Sequence, residues 1–141
     1  MKKKLQISLF FWLVFLISCK KDINNPVPNV HFDITIYFNL PSYSSLEGIG
    51  GWAYVDGGSK GIIVYRKSQD EFLAFDRHSP ANDGICDKAL EVDTNNFLQL
   101  NDLCSGAKFS LLDGSAISGA NIGLRQYNTE FNGGNQLRIF N

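Results

Sequence analysis

The chain has 141 residues, 44% of them hydrophobic, with 13 Lys and Arg against 14 Asp and Glu for a formal charge of −1. That is one domain's worth, long enough to bury a real core. A near-neutral chain with no basic run outside its first few residues argues against nucleic acid as a partner, because phosphate recognition needs a positive footprint.

The N-terminus reads as an export signal. Lys2, Lys3 and Lys4 form a charged start, and Leu5 to Ile17 is an apolar run of about 13 residues; a membrane-spanning helix needs roughly 20. The run ends in Leu16-Ile17-Ser18-Cys19, which resembles the bacterial lipobox, where signal peptidase II cleaves ahead of a cysteine that becomes lipidated. The resemblance implies a lipoprotein signal peptide over residues 1–18, a lipidated tether over 19–29 and a β domain over 30–141. The alternatives are a plain signal peptide or an N-terminal anchor with an incidental cysteine. Acylated Cys19 would hold the protein on the membrane through several chains, each buried methylene contributing about 0.8 kcal/mol. Lys20 follows the cysteine where an inner-membrane retention signal would place Asp, which favours the outer membrane or cell surface of a bacterial envelope. Loss of residues 1–18 removes three of the 13 basic side chains, leaving 10 against 14 acidic ones, or −4.

Residues 20–29 are polar, carry Pro26 and Pro28, and show no periodicity, as expected of a tether. Val30 to Leu40 alternates, with Phe32, Ile34, Ile36 and Phe38 on one side, and reads as a half-buried strand. His31 falls on its outward side. Pro41 to Gly61 is rich in Ser and Gly and reads as a loop. A phosphate-binding loop would have to open a helix, and the strand-like Ile62 to Arg66 follows instead. Trp52 and Tyr54 read as core or loop cover ahead of a sugar-stacking platform.

Ile62–Arg66 and Glu71–Asp76 form a hairpin, Lys88–Asp93 and Phe97–Leu100 a second, and Gly123–Phe131 with Gln136–Phe140 a last one. Between these lie Ala107–Leu112, the turn Asp113-Gly114-Ser115, and Ala116–Ser118. No helical period is sustained after residue 29. Short strands punctuated by turns predict an all-β sandwich or small barrel of antiparallel hairpins. Two loops would face each other: Asp76 to Cys86 and Asn101 to Phe109, each with one cysteine.

The ordered set Gly61 to Arg66, Phe72 to Asp76, Cys104-Ser105-Gly106-Ala107-Lys108-Phe109, Asp113-Gly114-Ser115, Ser118-Gly119-Ala120, Leu124 and Tyr127 resembles a Rieske-type [2Fe–2S] domain. The similarity covers roughly residues 48 to 140. In that family two thiolates hold one iron and two imidazoles the other. The family's Cys-x-His falls here on Ser79 and Ala81, and the Cys and His of its Cys-x-Cys-His fall on Asp102 and Ser105. All four ligand positions are substituted. Cys86 and Cys104 match two non-ligand cysteines that in many members form a disulfide between the loops, so the resemblance implies that bridge; two free buried thiols are the alternative. Ser118-Gly119-Ala120 also lacks the proline that the family places over its cluster.

A shifted register could draw on His78, Asp102, Cys86 and Cys104, and a mononuclear metal on His78 with Asp76, Asp83 or Asp102, although the spacing fits no established ligand pattern. No Cys-x-x-Cys is present, and with no helical segment predicted there is no strand-to-helix turn of the kind that makes a nucleophile elbow. The expectation is therefore a degenerate Rieske-like domain that needs no cofactor, a binding or structural module for an envelope protein or glycan rather than an enzyme. The alternative is an electron-transfer protein with an altered [2Fe–2S] cluster. Contacts are expected at loop positions Asn82 to Ile85 and Gly48 to Gly61, since loops carry function more often than sheet faces do.

Overall fold

A computed structural model of the chain describes residues 25–141. The expected signal peptide and the lipidation position Cys19 lie outside the described residues. The described chain is all-β. Its strands are β1 (Asp33–Tyr37), β2 (Trp52–Val55), β3 (Ile62–Arg66), β4 (Phe72–Asp76), β5 (Glu91–Val92), β6 (Gln99–Asn101), β7 (Lys108–Ser110), β8 (Ala116–Ser118), β9 (Gln126–Phe131) and β10 (Gln136–Phe140). They form a six-stranded antiparallel sheet in the order β1-β10-β9-β4-β3-β2 and a four-stranded one in the order β5-β6-β7-β8.

The large sheet curls into a half-barrel around Ile36, Phe38, Val55, Leu137 and Ile139. Every residue of β3 and β4 is buried. Because side chains alternate along a strand, Ile62, Val64, Phe72 and Ala74 enter the half-barrel while Ile63, Tyr65, Leu73 and Phe75 point to the other face. There the four-stranded sheet covers them with Leu100, Phe109 and Leu111. A strand covered on both faces must be apolar at consecutive positions, which explains the unbroken runs. By contrast β1 has one face in solvent, so Ile36 is buried between exposed Thr35 and Tyr37. Phe75 and Phe109 are both fully buried, and burying each contributes roughly 1.5–3 kcal/mol.

Three sequence expectations change. The Pro41–Gly61 stretch is not all loop: it holds a 3-10 turn, Pro41–Glu47, and β2. The signal for β2 is the short run Trp52–Val55, with Trp52, Tyr54 and Val55 as strand formers, masked by glycines on both sides. The hairpin expected from Lys88 contributes only Glu91 and Val92 to β5. Finally, residues 25–27 do not stand off the domain as a tether would. Val27 is 1% exposed, its carbonyl accepts from Arg125 Nη2 at 2.6 Å, and its N–H donates to Asn25 Oδ1. The chain enters the domain beside Gly84, where a Cβ would stand 3.3 Å from the Pro26 carbonyl oxygen.

A buried arginine fastens the 3-10 turn to the β3–β4 hairpin. Arg66 donates to the carbonyls of Leu46, Glu47, Ser68 and Gln69, and its guanidinium lies 5.0 Å from the Phe72 ring centroid. Carbonyl dipoles and a ring face thus satisfy the cation without a carboxylate partner.

Candidate functional site at the two-loop end

The first loop, residues 77–90, leaves β4 and returns into β5. The second, residues 102–107, turns β6 into β7. Since β5 pairs antiparallel with β6, both loops emerge at the same end of the small sheet. A Cys86–Cys104 disulfide joins them, with Cα atoms 5.8 Å apart. The bridge implied by the family resemblance is present, and the free-thiol alternative is set aside.

The four positions singled out by the resemblance come together beside this bridge. Ser79, Ala81 and Asp102 are buried, and Ser105 is exposed. Asp102 Oδ1 accepts from the backbone N–H of Cys104 at 2.7 Å and of Ser105 at 3.2 Å. Its Oδ2 accepts from Ser105 Oγ at 2.7 Å. Burial pushes the Asp102 pKa upward, but hydrogen bonds from Ser79, Ser105 and the Cys104 and Ser105 amides outweigh it, and the carboxyl sits below the usual Asp range. Ser79 Oγ in turn accepts from the Ala81 N–H at 3.2 Å. A carboxylate and two hydroxyls therefore satisfy one another where the family would place metal ligands, and Ala81 contributes only a methyl group.

Behind this layer the first loop is pinned to the half-barrel by Asp76, which is fully buried. Its Oδ1 accepts from the His78 N–H at 2.7 Å and the Lys60 N–H at 3.2 Å. Its Oδ2 accepts from the Ser59 N–H at 2.6 Å and from the Tyr127 hydroxyl. Burial, and then the hydrogen bond to Asp76, push the Tyr127 phenol far above its ordinary range, so it remains a donor. His78 is 7% exposed, with Nε2 2.7 Å from the Gly84 carbonyl oxygen and Nδ1 2.8 Å from Ser59 Oγ. A carbonyl can only accept, so Nε2 carries a proton and is not free for a metal. The imidazole thus bridges the Gly84 carbonyl and the Ser59 hydroxyl, with Nδ1 as the acceptor.

The two cysteines of a shifted register fare no better. Cys86, Asp87 and Cys104 place ligand-type atoms within 4.8 Å of one another, but the S–S bond consumes both sulfurs. With Ser79, Ala81, Asp102 and Ser105 in place of two thiolates and two imidazoles, the residues present do not fit a [2Fe–2S] cluster.

The outer surface of this end is partly apolar. Ile85 is 79% exposed and Leu103 52%, each next to a bridged cysteine. Between the loops lies a depression of about 240 Å³ lined by Ala81, Asn82, Ile85, Asp102 and Ser105 among others. A third segment, Gly119–Ile122, faces Pro80–Asp83 across a cleft of about 230 Å³. Gly119 has φ +75°, and a Cβ there would lie 2.8 Å from Ala107 Cα, so this segment requires glycine to pack against the second loop.

The sequence reading locates the two loops and the bridge. It misses Asp102 as a hydrogen-bonding hub and the docking of Pro26 and Val27. The pattern Asp102-Leu103-Cys104-Ser105-Gly106 carries a legible signal, since an Asp followed by Ser and Gly favours a side-chain-to-backbone turn. Nothing local marks Val27. No protein-family model matches the chain, and no curated protein shows significant similarity to it.

Proposed function

We propose that this chain is a lipid-anchored protein of the bacterial envelope whose Rieske-like domain has lost its [2Fe–2S] cluster and serves as a binding or structural module for an envelope protein or glycan. The observation that carries this reading is the convergence of Ser79, Ala81, Asp102 and Ser105 at the bridged loops, with the carboxylate and hydroxyls hydrogen-bonded together. Further support comes from the small sheet inserted between β4 and β9, the disulfide, and the Gly119–Ala120 segment beside the first loop. The leader and lipobox-like residues support the anchor, and Lys20 favours the outer membrane or cell surface.

Iron and acid-labile sulfide, read with the visible spectrum, test the proposal on the mature chain after anaerobic reconstitution. A companion variant restores the ligand set: Ser79→Cys, Ala81→His, Asp102→Cys and Ser105→His together. The expected result is a colourless native chain and a variant that takes up iron and sulfide with a visible band. Stoichiometric cluster in the native chain would overturn the loss of cofactor and leave an electron carrier with an altered cluster. A folded variant that binds no iron would remove the Rieske-like reading of the loops.

A further inference from the structure

The chain enters the domain beside the first loop. Asn25, Pro26 and Val27 pack on the domain, with Val27 buried and the Pro26 carbonyl against Gly84 of the first loop. From Cys19 to Asn25 there are six residue steps, and a fully extended chain spans at most about 3.6 Å per step, or about 22 Å. The anchor can therefore lie no more than about 22 Å from Asn25, which enters the domain beside the two-loop end. Two side chains of that end, Ile85 and Leu103, are apolar and exposed, and the disulfide fixes their loops beside each other. The charges nearby are of both signs, Asp83, Asp87 and Lys88 with Lys60 donating to the Asp87 carbonyl. Such a surface suits a lipid interface held close by an anchor better than charge-driven attachment to anionic lipid.

We infer that the two-loop end rests on the bilayer that carries the anchor, with Ile85 and Leu103 in its interfacial layer. The opposite end of the small sheet, where Phe97 is 60% exposed in the β5–β6 turn and forms a groove with Trp52, Gly50 and Gly51, is turned outward. The orientation rests on the proposed lipidation of Cys19. It places the bridged loops at the bilayer and the Phe97 end away from it.

The test uses the full chain, produced through the bacterial lipoprotein route and reconstituted in vesicles of brominated phosphatidylcholine, which quenches tryptophan at the bilayer. Three variants are compared: Ile85→Trp, Leu103→Trp and, at the far end, Phe97→Trp. Trp52 supplies the background, because the other tryptophan, Trp12, lies in the signal segment. The expected result is loss of most of the added emission for Ile85→Trp or Leu103→Trp, and none for Phe97→Trp. Labelled-palmitate incorporation at Cys19 is read on the same preparations. A lipidated chain with no quenching at either loop position overturns the orientation and leaves the lipoprotein reading standing. A chain that takes up no palmitate overturns both. Equal quenching at all three positions overturns the orientation by showing no preferred face.

Discussion

Asp102 Oδ2 accepts a hydrogen bond from Ser105 Oγ at 2.7 Å. The two residues stand where the Rieske resemblance would put a thiolate on one iron and an imidazole on the other. They form a self-contained turn instead, with the Cys104 and Ser105 amides aimed at the same carboxylate. The second loop thereby takes its shape from hydrogen bonds within the turn.

Replacing Asp102 with Ala should strand those amides and the Ser105 hydroxyl, at a cost of about 3 kcal/mol for a buried, charge-assisted set. The pH dependence follows from the lowered pKa of Asp102 in the folded state. Its contribution is fully present above the unfolded Asp value and is lost as pH falls through the folded value. Urea titrations from neutral pH into the acid range should show that loss in the native chain and a shallower one in Asp102→Asn. Parallel acid limbs would show that Asp102 does not carry the dependence.

The Cys86–Cys104 bridge closes a loop with a sequence separation of 18, which the chain-entropy account makes worth roughly 3 kcal/mol. Replacing both cysteines with Ala should lower the denaturation midpoint by a corresponding amount. The pair should also migrate as an oxidised bridge in thiol-alkylation assays of native protein. Complete alkylation without reductant would contradict the assignment.

Gly58 has φ +61°, and a Cβ on it would lie 2.5 Å from Asp76 Oδ2 and 2.8 Å from the Tyr127 hydroxyl oxygen. Gly58→Ala should therefore combine backbone strain with displacement of a buried hydrogen bond, costing about 3 kcal/mol or more. Thermal melts provide the check. Combining it with Tyr127→Phe should cost less than the sum of the two single changes, because both act on the same contact.

How much of this was readable along the chain depended on the range of the forces involved. The alternation of β1, the turn residues between hairpins and the apolar runs of β3 and β4 are local, and each follows from whether one face or two are covered. The all-β class and the two loops therefore emerge from residue order. The cysteine pairing came from the ordered resemblance and not from spacing. β2 escaped because a four-residue segment between glycines has little periodicity until β3 pairs with it. Asp76 gave no sign of its role either: at the end of a strand it looks like any turn aspartate. Burial against Tyr127 and Ser59, drawn from two distant segments, together with the nearby His78 N–H, makes it an anchor. Val27 looks like part of a polar tether and becomes core because Arg125, 98 residues away, meets its carbonyl. Local sequence encodes which residues want an apolar face or a turn. Folding decides which buried polar groups find partners, because those partners lie far apart along the chain and must all be satisfied at once.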